Sequence, residues 1–322
     1  MADAISSSIF SYDKNAGVVF LAPKGKKYNN FKCSNRHSPS SIIKSMKKCD
    51  IFILGGGTLI SESSSKRSAF YYTLMLCLAG IMKKQRVIYS SGIDRISSRL
   101  LKRLLKTQLK DVRISLRDTA SLDALWDIIP SPEAKIHADA VFLSASRCRS
   151  TNTVTRKHIA VCIKKDSPAD LGILIGDFCQ KYSLLPVFVA TSPADMSECE
   201  KQSRLAGGSA ILLHNMEDAK TLFESSLLCL SARYHAILLA ACFGCIPISM
   251  SGAEKILALM SEMNLLELIL PAKYSYNTYQ SKMEQVLSNV GKYEKQCRAE
   301  VKKMLRRAKL AEAYLGKDQS LG

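Results

Sequence analysis

Short runs of apolar and β-branched residues recur along the chain, separated by amphipathic stretches with helical spacing. That alternation is what parallel βαβ units require, and it excludes all-α and all-β architectures. The expected strands are GVVFLAP (17–23), CDIFILGGG (49–57), RVIYSSG (86–92), VRISLRD (112–118), AVFLS (140–144), HIAVCIK (158–164), LLPVFVA (184–190), SAILL (209–213), SLLCLSA (226–232) and CIPISMS (245–251). They fall into two sets about the polar, aperiodic segment SASRCRSTNTVTRK, which reads as a linker and places a boundary near residue 150. The expectation is an α/β protein with Rossmann-like domains over 1–150 and 151–272 and a cleft between them. Residues 273–322 form a basic C-terminal helical segment, whose apolar positions repeat at helical spacing.

At 322 residues and 47% hydrophobic content the chain can build two cores, so disorder is excluded. A formal charge of +18 directs attention to anionic partners such as phosphates, nucleic acid or a lipid surface, without choosing among them. The longest apolar runs, AFYYTLMLCLAGIM and AILLAACFGCIPISM, are shorter than the roughly 20 residues of a membrane-spanning helix. Eleven cysteines without regular spacing, and no secretory signal, point to reduced thiols and a cytoplasmic protein.

In open parallel sheets, ligands meet the carboxyl ends of the strands, and three such ends carry unusual chemistry. The first is Gly55, Gly56, Gly57 and Thr58, where glycines let a ligand approach the backbone closely. Contiguous glycines are not a G-x-G-x-x-G fingerprint, and alone they equally describe a tight turn. The second is Arg117, beside Asp118, which is placed to cap a helix carrying Leu122 and Leu125. A cation beside the positive end of a helix dipole needs a shared anion, either a ligand or an internal carboxylate. The third is LSARYHAILLAACFGCIP: Ser231 is a candidate cap, Arg233 offers a planar fork for carboxylate or phosphate, and His235 lies in the first helical turn. There the dipole favours the neutral ring, and a bound anion would load it with a proton, making it a general acid.

Taken in order, DIFILGGGTLI followed by SSKRSAFYY, ISLRDTAS, HADAVFL and LSARYHAILLAACFGCIPISMSGAEKI resemble the polysaccharide pyruvyl transferases of the CsaB type, over most of the chain. The resemblance implies a GT-B-like fold. It also implies transfer of pyruvate from phosphoenolpyruvate to a sugar as a ketal, on a cell-surface polysaccharide or its lipid-linked precursor. Arg117, Arg233 and His235 match positions that the family uses around phosphoenolpyruvate, and Lys255 and the glycine turn match its cleft lining. No metal or cofactor is implied beyond the donor itself. Three departures accompany the match. The chain opens MADAISSSIFSYDKNAG, so the family's first strand and Gly/Asn turn are expected to be missing. The family's GIGP-like segment reads GIDR at 92–95, and Lys164 replaces a common arginine.

Two other features carry less. Cys242 and Cys245 lack the second ligand pair of a zinc site and read as small core residues. RISSRLLKRLLKTQLKDVR combines an apolar stripe with a basic face, suited to the sheet on one side and, on the other, to water or to peripheral contact with the anionic inner face of the plasma membrane. Two other classes stay open: a GT-B glycosyltransferase using a sugar nucleotide, and a degenerate, non-catalytic basic binding protein. No nucleic-acid recognition module is present, and aromatics are not interleaved with the basic runs, so nucleic acid is not an expected partner.

Overall fold

A computed structural model describes residues 2–316 except 27, 29, 30, 63, 64, 131, 149–154 and 272. The chain divides into two compact units, one of residues up to Ser144 together with those from Met304 onward, the other Ala145–Lys303. Residues 273–303 thus belong to the second unit, and the chain beyond them to the first.

The first unit opens with α1 (Ala2–Tyr12), then β1 (Val19–Ala22) and β2 (Lys32–Asn35), a parallel pair. After α2 (Pro39–Lys48) come β3 (Ile51–Gly55), β4 (Thr58–Ile60), α3 (Lys66–Ile81), β5 (Gln85–Ile93), α4 (Arg99–Gln108), β6 (Val112–Leu116), α5 (Thr119–Trp126), β7 (Ala134–Ile136) and α6 (Val141–Cys148). The main sheet has the order β3-β5-β6-β7, with β4 also on β5, and every pairing is parallel. Parallel strands bury both faces. On one face Leu54, Ile88, Ile114 and Leu116 pack against Leu76, Leu101, Leu105 and Leu125 of the helices. On the other, Val87 and Tyr89 meet Ile5 of α1 and Ala311, Tyr314 and Leu315 near the C-terminus.

The second unit runs β8 (His158–Cys162), α7 (Leu171–Tyr182), β9 (Leu185–Ala190), a 3-10 turn (Pro193–Asp195), α8 (Met196–Ala206), β10 (Ser209–Leu212), α9 (Met216–Ser225), β11 (Ser226–Ser231), α10 (Tyr234–Cys242), β12 (Ile246–Ser249), α11 (Glu254–Glu262) and α12 (Tyr276–Leu287). The last helix, α13 (Val290–Ala311), starts in this unit. Its sheet has the order β10-β9-β8-β11-β12, all parallel, so the chain winds outward from β8 in one direction and then, from β11, in the other. Between β8 and β11 lies the reversal point, where such sheets open a crevice for ligands.

One expected strand is a helix. Within AVFLS, Val141–Ser144 open α6 and Ala140 precedes it, because Asp139 accepts the Val141 N–H at 3.0 Å and the backbone turns there, Phe142 N to Asp139 O at 3.1 Å. The strand is β7, just upstream, and His137 N–H extends its ladder to Leu116 O at 2.8 Å. Among the described residues three strands were not expected, β2, β4 and β7, each of three or four residues. Cys242 and Cys245 are buried in the core of the second unit as free thiols. The expected linker falls partly on 149–154, outside the described residues.

Candidate active site

In the second unit four charged side chains come from the carboxyl ends of four strands. Lys164 follows β8, Asp195 lies on the turn after β9, Arg233 follows β11, and Lys255 sits in the first turn of α11 after β12. Arg233 Nη2 donates to Asp195 Oδ2 in a close ion pair; the Asp195 side chain is 5% exposed and that of Arg233 32%. The carboxylate is thus an internal strut while the guanidinium remains reachable. Lys164 and Lys255 are exposed. The Lys164 ammonium is held below the ordinary lysine range, first by desolvation, then by the like charges of Arg233 and Lys255, with Asp195 opposing. Three cations against one carboxylate leave the site electropositive, and an anion entering it would relieve their repulsion.

The start of α10 adds to this. Ser231 is not its cap: fully buried, its hydroxyl accepts the Arg233 N–H at 2.9 Å and donates to the Arg233 carbonyl at 3.0 Å. Arg233 occupies the N-cap position, with extended backbone (φ −116°, ψ 125°) and no side-chain cap. The first-turn N–H groups therefore have no capping oxygen from this chain's own cap residue, and a helix cannot satisfy them internally. His235 lies in this turn, half-buried, its ring edge-on to Tyr234 with centroids 5.2 Å apart.

The first unit gathers the other candidates at the carboxyl ends of β3, β5 and β6. Gly56 (φ 83°) and Gly57 (φ 70°) take the left-handed backbone that the turn needs. The turn is tied to β5, Gly92 N–H and Ser91 Oγ both donating to Gly57 O at 2.8 and 3.1 Å. A Cβ on Gly55 would stand 2.9 Å from Ile5 Cδ1 and 3.2 Å from Tyr89 O, so this glycine is set by packing from α1 and β5. Arg117 is closed in. Its side chain, 3% exposed, donates to Asp118 Oδ2 at 2.8 Å and to Thr58 Oγ1 at 2.9 Å, and lies 3.8 Å from Asp139 Oδ2. Asp118 caps α5 as expected, accepting the Ser121 N–H at 2.8 Å. The anion that compensates Arg117 is thus internal, and Thr58 accepts directly from the guanidinium. Gly92 makes room: a Cβ there would fall 2.8 Å from both Arg117 Nη2 and Thr58 Oγ1.

The sequence did not single out Asp195 or Asp139. Asp195 lies in SPADM, whose Ser192 and Pro193 announce only a capped turn. Its meeting with Arg233, 38 positions away, belongs to tertiary structure alone.

Helix-covered parallel sheets in two units are an α/β architecture, and solved structures place the fold in the GT-B class. The chain is similar to a UDP-GlcNAc 2-epimerase from Neisseria meningitidis bound to UDP-GlcNAc, with TM-score 0.62 and 14% identity over 89% of this chain and 85% of that one. It is also similar to a glycosyltransferase from Rickettsia africae, with TM-score 0.61 and 12% identity over 98% and 95%. An Anabaena protein in complex with UDP and glucose matches with TM-score 0.57 and 10% identity over 96% and 90%. No curated protein sequence matches the chain. Residues 8–252 match the model of the polysaccharide pyruvyl transferases, and the chain belongs to that family. It is a transferase of polysaccharide modification.

Proposed function

We propose that this transferase moves pyruvate from phosphoenolpyruvate to two hydroxyls of a sugar, forming a ketal on a cell-surface polysaccharide or its polyprenyl-linked precursor. The observation that carries this reading is the electropositive set Arg233, Lys164 and Lys255 beside the start of α10, with His235 in its first turn. Phosphoenolpyruvate offers a phosphate and a carboxylate, both suited to guanidinium and ammonium donors. His235 delivers a proton to the methylene carbon, C2 becomes cationic, and one sugar hydroxyl adds there, its proton returning to the imidazole. The second hydroxyl then displaces phosphate, which leaves with the remaining proton, and the cations stabilise the charge that develops on it. Arg117, buried against Asp118 and Asp139, contributes by fixing Thr58 and the glycine turn; direct contact with a donor would require its internal pairs to open.

The test is phosphate release from phosphoenolpyruvate that depends on a glycan acceptor. Arg233→Ala should cut kcat/KM by about a hundredfold or more, and His235→Ala should lower kcat with donor binding retained. Turnover unchanged in both variants rules out this site. A second reading comes from the structural neighbours whose complexes hold UDP or a UDP-sugar. Saturable binding of a sugar nucleotide, with no response to phosphoenolpyruvate, would replace the donor proposed.

A further inference from the structure

The segment from Arg95 to Lys110 carries six cations and no acid. Within it, α4 turns Leu101 and Leu105 into the core at 0% exposure. Arg99, Arg103 and Lys106 recur at i, i+4 and i+7 on the opposite, exposed face, with Arg95 and Lys110 exposed at either end. Among the described residues no carboxylate pairs with any of these five cations; only Lys102 is paired, to Asp127 at 2.6 Å. Arg99 also stands in the first turn of α4, where the helix dipole opposes positive charge. Two large apolar side chains are exposed beside this stripe. Leu100, 60% exposed, lies between the cations, and Trp126, 55% exposed and the only tryptophan, precedes the Asp127 that Lys102 grips.

We propose that this face of the first unit docks on an anionic lipid bilayer, with the basic stripe over the headgroups and Leu100 and Trp126 at the level of the interface. Charge complementarity selects the partner, since an uncompensated basic stripe with an exposed leucine and an indole is the pattern of peripheral interfacial binding. No helix among the described residues is long and apolar enough to cross a membrane, so the contact is peripheral. The helix α13 is also basic, but Glu294 and Glu300 are interleaved with its cations and pair with Arg298 and Lys303. The proposal goes beyond the donor chemistry and does not depend on it.

The test uses the full chain and vesicles of phosphatidylcholine with or without roughly one-third phosphatidylglycerol. Binding is expected only to the anionic vesicles, and is lost at about 0.5 M salt. Because the chain has a single tryptophan, a blue shift of its emission reports directly whether Trp126 enters the interface. Reversing Arg99, Arg103 and Lys106 to Glu should weaken partitioning by about a hundredfold, from roughly fivefold per residue. Leu100→Ser should weaken it less and reduce the blue shift, whereas Lys302→Glu with Arg306→Glu on α13 should leave both intact. Should the triple variant fail to fold, Leu100→Ser and the native blue shift decide. Vesicle binding with no change in emission, equal binding to neutral vesicles, dependence on α13 instead of α4, or binding to RNA alone would each overturn the proposal. Acceptor-dependent phosphate release, assayed without vesicles, fails or succeeds separately.

Discussion

Lys164, in the proposed donor site, carries a charge coupled to those of its neighbours. Desolvation and the charges of Arg233 and Lys255 lower its pKa in the free protein, so its proton is lost below the ordinary lysine range. A dianion beside it favours the ammonium and reverses part of that shift. The sign follows by linkage: at alkaline pH binding takes up a proton, and affinity falls, by at most about tenfold per pH unit, as pH rises through the free-state titration. Calorimetry of phosphoenolpyruvate binding at a series of alkaline pH values, in two buffers of different ionisation enthalpy, should show proton uptake by the native chain. Lys164→Arg, always charged, should show none and should flatten the alkaline fall. Identical proton uptake in the two proteins would place the titrating group elsewhere. The sequence marked Lys164 only as a departure from the family, since the spacing of a lone lysine after a strand does not reveal which cations face it.

Elements legible in the sequence are those whose local signals agree with their tertiary setting. The long apolar strands β3, β5, β8, β9, β11 and β12 are examples, as is α5 with Asp118 at its start. The errors occur where two structures share one pattern. AVFLS is an apolar run of five residues that periodicity cannot assign, and the signal that decides it, the Asp139 carboxylate on the Val141 N–H, looks in sequence like any aspartate. Ser231 had the right residue type for a cap, but its hydroxyl closes a turn two residues long instead. At α5, cap and ion pair reside in one side chain and can be separated. Asp118→Asn keeps a good cap and removes the charge facing a buried guanidinium, which should cost about 2 kcal/mol. Asp118→Ala removes both, and should cost about 1 kcal/mol more. Urea unfolding with an unchanged m-value measures the difference. Equal losses in the two variants would mean that the cap contributes nothing to the stability of this unit.

At the scale of the whole chain, the alternation of parallel strands with helices was readable in the sequence, but the destination of the C-terminus was not. The basic helical pattern from 273 reads as one appended segment, whereas the chain from Met304 onward belongs to the first unit. Ala311, Tyr314 and Leu315 pack there with Val87, Tyr89 and Ala140, and Arg113 donates to Gly316 O at 2.7 Å, a contact 203 positions apart. Apolar spacing shows that a helix has a face to bury and leaves open which sheet receives it. The C-terminal residues thus act as a part of the first core that is supplied last in the chain. Tyr314→Ala with Leu315→Ala should destabilise the first unit by roughly 5 kcal/mol or more, since each truncation of a large buried side chain costs about 2 to 5. Hydrogen exchange resolves where that loss falls. Protection should drop in β3, β5 and β6, while β8, β9 and β11 keep native rates as long as the units open independently. A uniform loss of protection in both sheets would show that the two cores unfold as one, and that the C-terminal contacts stabilise the chain as a whole.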